Sequence, residues 1–218
     1  MKKKSIFWTV PLLCIVSLGT VGQGTYNLAT ELENGRIKAV NRIITRYGDS
    51  SSAVEMNAAE GDGIAVLEAV EWNEGTIQVE LLGENNPGRS FVGIAFNIQD
   101  DNTYEAVYFR PFNFVAEAQG NREHMVQYIC HPDFTWYRLR EERTGEFENE
   151  IQDPPDPDDW FSVLIRISDK EVSVFMENGE DPVLTVQRLT TTSSDKMGLW
   201  TGNGSSGRYR NLIIEGSK

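Results

Sequence analysis

Cysteine is scarce in this chain, with Cys14 and Cys130 as the two examples among 218 residues. Cys14 falls in an apolar N-terminal stretch that we expect to be removed. The mature chain would then keep one thiol, which excludes a fold held by intrachain disulfides. A chain of this length must instead rely on a hydrophobic core. We expect Cys130, in an alternating segment, to be a buried or partly buried free thiol without a chemical role.

Three common catalytic motifs are also absent. The sequence has no Gly-x-Ser-x-Gly, no phosphate-binding glycine loop and no His-Glu-x-x-His. Its two histidines, His124 and His131, lie seven residues apart. Strand alternation would send them to opposite faces, which argues against a metal pair, and we predict no catalytic metal.

Basic residues are outnumbered, with 20 Lys and Arg against 33 Asp and Glu. Removing residues 1–22 takes away three Lys and no acid, which changes the net charge from −13 to −16. Such a surface repels phosphate backbones and anionic lipids. We therefore expect neither a nucleic-acid partner nor a membrane partner for the mature chain.

The N-terminus reads MKKKSIFWTVPLLCIVSLGTVGQG. Three lysines precede a short apolar run over residues 6–18, and Gly22 or Gly24 supplies the small residue that a signal peptidase requires. This pattern predicts a signal peptide over residues 1–22, followed by a single domain over 23–218. The protein would be exported, to the bacterial periplasm or the extracellular space.

Two alternatives to a cleaved signal peptide stay open. A retained membrane anchor would need an apolar run of about 20 residues, and this run is shorter. A lipoprotein signal would need a small residue before Cys14, where the chain has Leu13.

Helical periodicity is missing after residue 24, whereas period-two alternation of apolar residues recurs. It occurs in TIQVELLG, SFVGIAFNIQD, WFSVLIRIS and EVSVFMEN. Turn-forming sequences such as ENNPG, QDDN and GNGSSG separate these runs. The pattern predicts an all-β fold, a two-sheet antiparallel sandwich with at most one or two helical turns. The acidic QDPPDPDDW, residues 152–160, is expected to be a loop or one helical turn.

Residues 104–114, YEAVYFRPFNF, combine five rings with polar side chains. A core strand needs no polar groups and a solvated strand needs no rings. We therefore predict a strand with one face in the core and the other lining a groove. Pro111 has no N–H to donate to a ladder, so the strand should end or bulge there.

Rings and planar polar side chains continue to residue 140. The apolar face of a pyranose stacks on rings, and its hydroxyls bond to planar polar groups. The predicted saccharide-binding residues are Arg110, Asn113, His124, Gln127, His131, Trp136 and Arg140. His124 and Gln127 would leave opposite faces of an ideal strand, so a bulge is required between them or one is misassigned. The alternative interpretation is that the rings fill the core and the polar groups cap strand ends.

Several blocks resemble the concanavalin A-like (laminin G-like) jelly-roll group, in particular bacterial exported proteins similar to 3-keto-disaccharide hydrolases and family 16 glycoside hydrolases. The matching stretches include GTIQVELLG, FVGIAFNIQDDNTYEAVYFRPFN, VQYICHPDFTWYRLR and KMGLWTGNGSSGRYRNLII. The resemblance implies two packed sheets, with a glycan site on the concave one. It also implies that a structural Ca²⁺ could bind at residues 99–102 or 153–159.

The Glu-x-Asp-x-x-Glu strand of true family 16 enzymes is missing. Its nearest approach, Glu80 and Glu84, would place two carboxylates about 13 Å apart in an extended strand. Retaining and inverting hydrolysis need about 5–5.5 and 6.5–9.5 Å, respectively. The remaining candidates for a general acid are Glu105, Glu80, His124 and His131.

The expected function is that of an exported carbohydrate-active sandwich that binds a saccharide in a groove. It could also hydrolyse a glycoside or a 3-keto-disaccharide, and the sequence does not decide whether the protein is an enzyme. The alternative is a non-catalytic laminin G-like domain that binds another protein, because one fold hosts all these activities.

Overall fold

The computed structural model describes residues 22–176 and 179–217, so the predicted signal peptide lies outside the described residues except for Gly22. Strands are numbered in chain order: β1 Gly22–Tyr26, β2 Ile37–Val40, β3 Ile44–Arg46, β4 Val54–Met56, β5 Gly63–Leu67, β6 Glu74–Leu82, β7 Val92–Phe96, β8 Tyr104–Phe109, β9 Val126–His131, β10 Glu148–Asn149, β11 Phe161–Ile167, β12 Glu171–Met176, β13 Leu184–Gln187, β14 Gly198–Thr201 and β15 Gly207–Ser217. The helices are α1 Leu28–Glu33, α2 Gln119–Arg122 and α3 Trp136–Glu142, with a 3₁₀ turn at Pro111–Asn113.

The strands form two antiparallel sheets, which confirms the predicted sandwich. The larger sheet has the order β13-β12-β11-β6-β15-β4-β3, with β1 also paired to β15. The smaller sheet has the order β10-β9-β8-β7-β14-β5-β2. The long strand β15 changes register between Arg210 and Ile213. Asn211 adopts φ 53° inside this irregularity, and β15 pairs with β1 beyond it.

The hydrophobic core lies between the two sheets. In β11 the alternation predicted from the sequence is observed, since Phe161, Val163, Ile165 and Ile167 are buried. Ring contacts join the sheets, and Phe109 of β8 meets Phe161 of β11 at 5.4 Å between centroids. The odd-numbered side chains of β8 therefore point into the sandwich.

Strands β7 and β8 are buried along their whole length. Burial on both faces requires a second cover in addition to the facing sheet. The segments around the 3₁₀ turn and α3 flank the outer face of these strands, and between them lies the cleft described below. Strand β8 ends at Phe109, two residues before Pro111, as predicted.

Helix content exceeds the expected one or two turns. Helix α3 begins after Thr135, whose side chain accepts a hydrogen bond from Arg138 N at 3.3 Å. Seven residues are too few to display an amphipathic period, so this helix left no pattern in the sequence. None of the helices in the described part of the chain has the length and apolarity to cross a bilayer.

Cys130 is a buried free thiol on β9, as predicted. Burial raises its pKa to about 11. The thiolate is therefore scarce at neutral pH, which fits a structural side chain.

Candidate functional site

One row of side chains crosses the outer face of the smaller sheet. The strand registers align, from β5 to β10, Ile64, Trp200, Gly93, Tyr108, Gln127 and Glu148. Because Gly93 has no side chain, the rings of Trp200 and Tyr108 meet above it, 4.8 Å apart between centroids. A Cβ at Gly93 would lie 2.1 Å from Val107 O. The two rings form the floor of a cleft.

A hydrogen-bonded group lies beside this floor. Arg110 Nη2 donates to Tyr108 Oη at 2.7 Å and to Gln127 Oε1 at 2.5 Å. Tyr108 Oη donates to Gln127 Oε1 at 2.9 Å. Burial raises the pKa of Tyr108 to about 12, so its hydroxyl stays protonated and can serve both roles. Gln127 is fully buried, and its Nε2 has no hydrogen-bond partner among the residues that the structure describes.

Next to this group, two arginines approach one carboxylate. Arg140 binds Glu148 through Nε to Oε1 at 3.1 Å and Nη2 to Oε2 at 2.7 Å. Arg110 Nη1 lies 4.0 Å from the same Oε2. His124 Nδ1 is 2.8 Å from Oε2 but makes no aligned hydrogen bond. Burial lowers the pKa of His124, although Glu148 opposes this, so the net effect favours the neutral ring.

The opposite end of the cleft holds a carboxylate. Tyr104 Oη donates to Asp62 Oδ2 at 3.0 Å and accepts from Trp200 Nε1 at 3.2 Å. The ring of His131 lies 5.0 Å from that of Tyr104 between centroids. Burial lowers the pKa of His131, and the nearby Asp62 acts in the other direction.

These groups enclose a cleft of about 380 Å³. Six of the seven predicted binding residues line it, namely Arg110, Asn113, His124, His131, Trp136 and Arg140. The seventh, Gln127, lies beneath it and holds Arg110. The structure therefore brings the predicted set together, whereas its affinity for a saccharide stays a prediction.

The bulge expected between His124 and Gln127 is not needed. His124 lies in a turn, and β9 begins at Val126. The carbonyl oxygen of His124 accepts hydrogen bonds from Arg110 Nη1 at 2.9 Å and from Asn113 Nδ2 at 3.3 Å. Strand alternation does not apply to a turn, so His124 reaches the cleft without a register change.

Two candidate general acids lie away from the cleft. Glu105 is fully buried on the inner face of β8, where Arg188 and Tyr128 donate to it. Glu80, on β6 of the larger sheet, pairs with Arg210 at 2.6 Å. Neither glutamate is among the residues that line the cleft, so the structure does not support a role for them as general acids there. His124 and His131 do line the cleft.

Sequence reasoning missed several cleft residues because they come from distant segments. They are Asp62, Phe91, Trp200, Gly202 and Asn203, together with Glu148 beneath the cleft. Asn121 was also missed, although it lies within residues 104–140. Trp200 belongs to the apolar run KMGLWTG, which predicts a strand, but the neighbouring sequence does not indicate which strands pair with it. The pairing of β14 with β7 places it beside Tyr108.

Within residues 22–176 and 179–217, no group of three or more His, Cys, Asp or Glu gathers in a way that could hold a metal ion. At the two segments suggested for Ca²⁺, carboxylates bind backbone locally. Asp100 Oδ1 accepts from Asn102 N at 2.8 Å, and Asp156 Oδ1 accepts from Asp158 N at 2.9 Å.

No protein-family model and no curated protein matches the chain. Solved structures do match. A protein of unknown function with a galectin-like fold from Bacillus subtilis aligns with a TM-score of 0.58 at 9% identity, over 91% of this chain and 100% of that chain. The carbohydrate-binding module CBM66 from Bacillus subtilis gives 0.56 at 10%, over 84% and 96%. The chain therefore has the two-sheet sandwich fold that the resemblance to concanavalin A-like jelly rolls implied.

A third structural neighbour is the exoplasmic/lumenal domain of VIP36 in its Ca²⁺/Man3GlcNAc-bound form. It aligns with a TM-score of 0.53 at 10% identity, over 84% of this chain and 86% of that chain. At such identities the likeness establishes the fold alone, because one fold supports many functions.

Proposed function

We propose that the cleft on the smaller sheet binds a saccharide. The observation that carries the proposal is the convergence of rings and planar polar side chains on one concave surface. Trp136 stands at the rim with 46% of its surface exposed. An exposed ring beside Arg, Asn and His side chains offers both the stacking surface and the hydrogen bonds that a pyranose uses.

The neighbours support the same general function. CBM66 is named as a carbohydrate-binding module, and the VIP36 domain is described with a bound Man3GlcNAc. Both place a saccharide-binding protein on this fold. Because residues 1–22 are predicted to be a signal peptide, we also propose that the protein acts after export, in the periplasm or outside the cell.

Binding is better supported than hydrolysis. Paired-carboxylate hydrolysis needs two carboxyl groups facing the bond. Among the described residues that line the cleft, Asp62 supplies the one carboxylate. Glu148 lies below, 4% exposed and held by Arg140. A 3-keto-disaccharide hydrolase activity and a laminin G-like protein-binding role are the alternatives that the experiment separates.

The test is a glycan screen with the mature chain, followed by calorimetry on Trp136→Ala. Losing a stacked ring should weaken binding by about 1–3 kcal/mol, or about 5- to 150-fold. Trp160→Ala is the matched control, because that ring lies outside the cleft, where Arg210 stacks on it at 4.2 Å. It should bind as the parent does.

An unchanged affinity for Trp136→Ala would place the site elsewhere. A screen without any glycan hit would contradict saccharide binding and favour a protein partner. Release of a reducing sugar from a bound glycan would instead identify a hydrolase.

A further inference from the structure

The arginine pair in the cleft carries a charge imbalance. Both Glu148 oxygens are engaged by Arg140, and Arg110 approaches one of them at 4.0 Å. The hydrogen bonds of Arg110 go to neutral oxygens of Tyr108, Gln127 and His124, and its guanidinium also lies over the rings of Phe91 and Tyr108. Arg110, Arg140 and Glu148, two cations and one anion, leave a residual charge of +1 at this end.

That residual charge lies in a dry environment. Arg110 is 5% exposed and Glu148 is 4% exposed. A buried charge without a full partner is costly, and an incoming anion relieves the cost. Burial lowers the pKa of Arg110 and the charge of Arg140 acts in the same direction, whereas Tyr108 and Glu148 oppose them. A further negative group beside Arg110 would act with Glu148 to favour the charged guanidinium.

The cleft carboxylate is engaged by a different side chain. Asp62 accepts from Tyr104, whereas Arg110 donates to Tyr108, four residues further along β8. The backbone positions of the two tyrosines lie about 13 Å apart along the strand. The cleft therefore has a cationic end and an acidic end.

We propose that the saccharide bound here is a hexuronic acid, whose carboxylate docks against Arg140. Arg140 is the reachable member of the pair, with 30% of its side chain exposed, against 6% for Arg110. Glu148 occupies Nε and Nη2 of Arg140, so a planar carboxylate would dock on the Nη1–Nη2 edge of the guanidinium, and the stacking of that group on Trp136 at 5.2 Å holds it at the rim. This inference rests on the proposed saccharide site and specifies its ligand class.

The net charge of the chain, −13, opposes the approach of a polyanion. The attraction between Arg140 and a ligand carboxylate must therefore act at separations shorter than the Debye length, which is about 8 Å at physiological salt. Short ligands are the appropriate probes, because they place one carboxylate in the cleft without an additional charged chain.

The experiment is calorimetry with matched pairs of methyl glycosides, glucuronate against glucose and galacturonate against galactose. At least one uronate should bind about tenfold more tightly than its neutral partner. Arg140→Gln should remove that difference, and Arg140→Lys, which keeps the charge but not the fork, should retain part of it. Arg138→Gln is the matched control, since Arg138 lies on the same helix and pairs with Glu142. It should keep the full preference.

A thermal melt of each variant establishes whether it is folded. If Arg140→Gln does not fold, Arg140→Lys is compared with the parent instead. Equal affinities for acidic and neutral sugars in the parent would overturn the uronate inference and leave the saccharide site intact. A preference that survives in Arg140→Gln would also overturn it. Failure of both sugar classes to bind would overturn the saccharide site as well.

Discussion

The buried Glu105 gives the sharpest stability prediction. Its carboxylate accepts four hydrogen bonds: from Arg188 Nε at 3.0 Å and Nη2 at 2.5 Å, from Tyr128 Oη at 2.6 Å and from Asn97 Nδ2 at 2.6 Å. Burial alone would lower the pKa of Arg188, but the hydrogen bonds and charge of Glu105 raise it above its usual value. The pair ties the segment after β13 to the inner face of β8.

Glu105→Gln preserves the shape and removes the charge. One acceptor oxygen becomes an NH₂ group that faces existing donors, and Arg188 keeps a charge that is 9% exposed. Breaking a buried ion pair in this way costs about 3–5 kcal/mol. A domain of this size has about 5–15 kcal/mol of stability in total. With an m-value of about 2 kcal/mol/M, the urea midpoint should fall by about 2 M.

The assay is equilibrium unfolding in urea, followed by tryptophan fluorescence and circular dichroism. Glu146→Gln is the control, because Glu146 pairs with Arg143 on the surface, where its side chain is 54% exposed. Exposed pairs contribute about 0–1 kcal/mol, so its midpoint should hardly move. If both variants shifted the midpoint by the same amount, the reasoning from burial would be wrong.

Two further predictions concern the cleft. Gly93→Ala should lower the free energy of unfolding, measured in urea, by more than about 2 kcal/mol, because the Cβ of the new alanine would overlap Val107 O. The same substitution should weaken saccharide binding. Gly120→Ala is the control, because a Cβ at Gly120 would meet no atom within 4 Å, and its free energy of unfolding should not fall. If the two variants lost equal stability, the steric argument would be wrong. Burial lowers the pKa of His131 in the folded state below the ordinary value of 6.5. On acidification the unfolded chain therefore binds a proton before the folded chain does. The free energy of unfolding should then fall as the pH drops below about 6.5. His131→Asn should lose less stability than the parent between pH 7 and 5, and parallel urea-unfolding curves across that range would refute the assignment.

The strands and their approximate limits follow from local patterns in the sequence. Alternation along residues 161–167 predicts which side chains are buried, because side chains of a strand leave opposite faces in turn. Pro111 predicts the end of β8, because it lacks the N–H that a ladder requires. The cluster in residues 104–140 could be found for the same reason, since hairpin neighbours in sequence become neighbours in space.

Only the tertiary structure decided which face of β8 forms the cleft. Alternation separates Glu105 from Tyr108 but does not say which of them points inward. Glu105 can be buried because Arg188, 83 residues away, supplies its counter-charge. Tyr108 faces outward onto a floor completed by Trp200, which arrives through the pairing of β14 with β7. Such partners are set by strand order and register, which depend on contacts between distant segments and leave no mark in any local stretch of sequence.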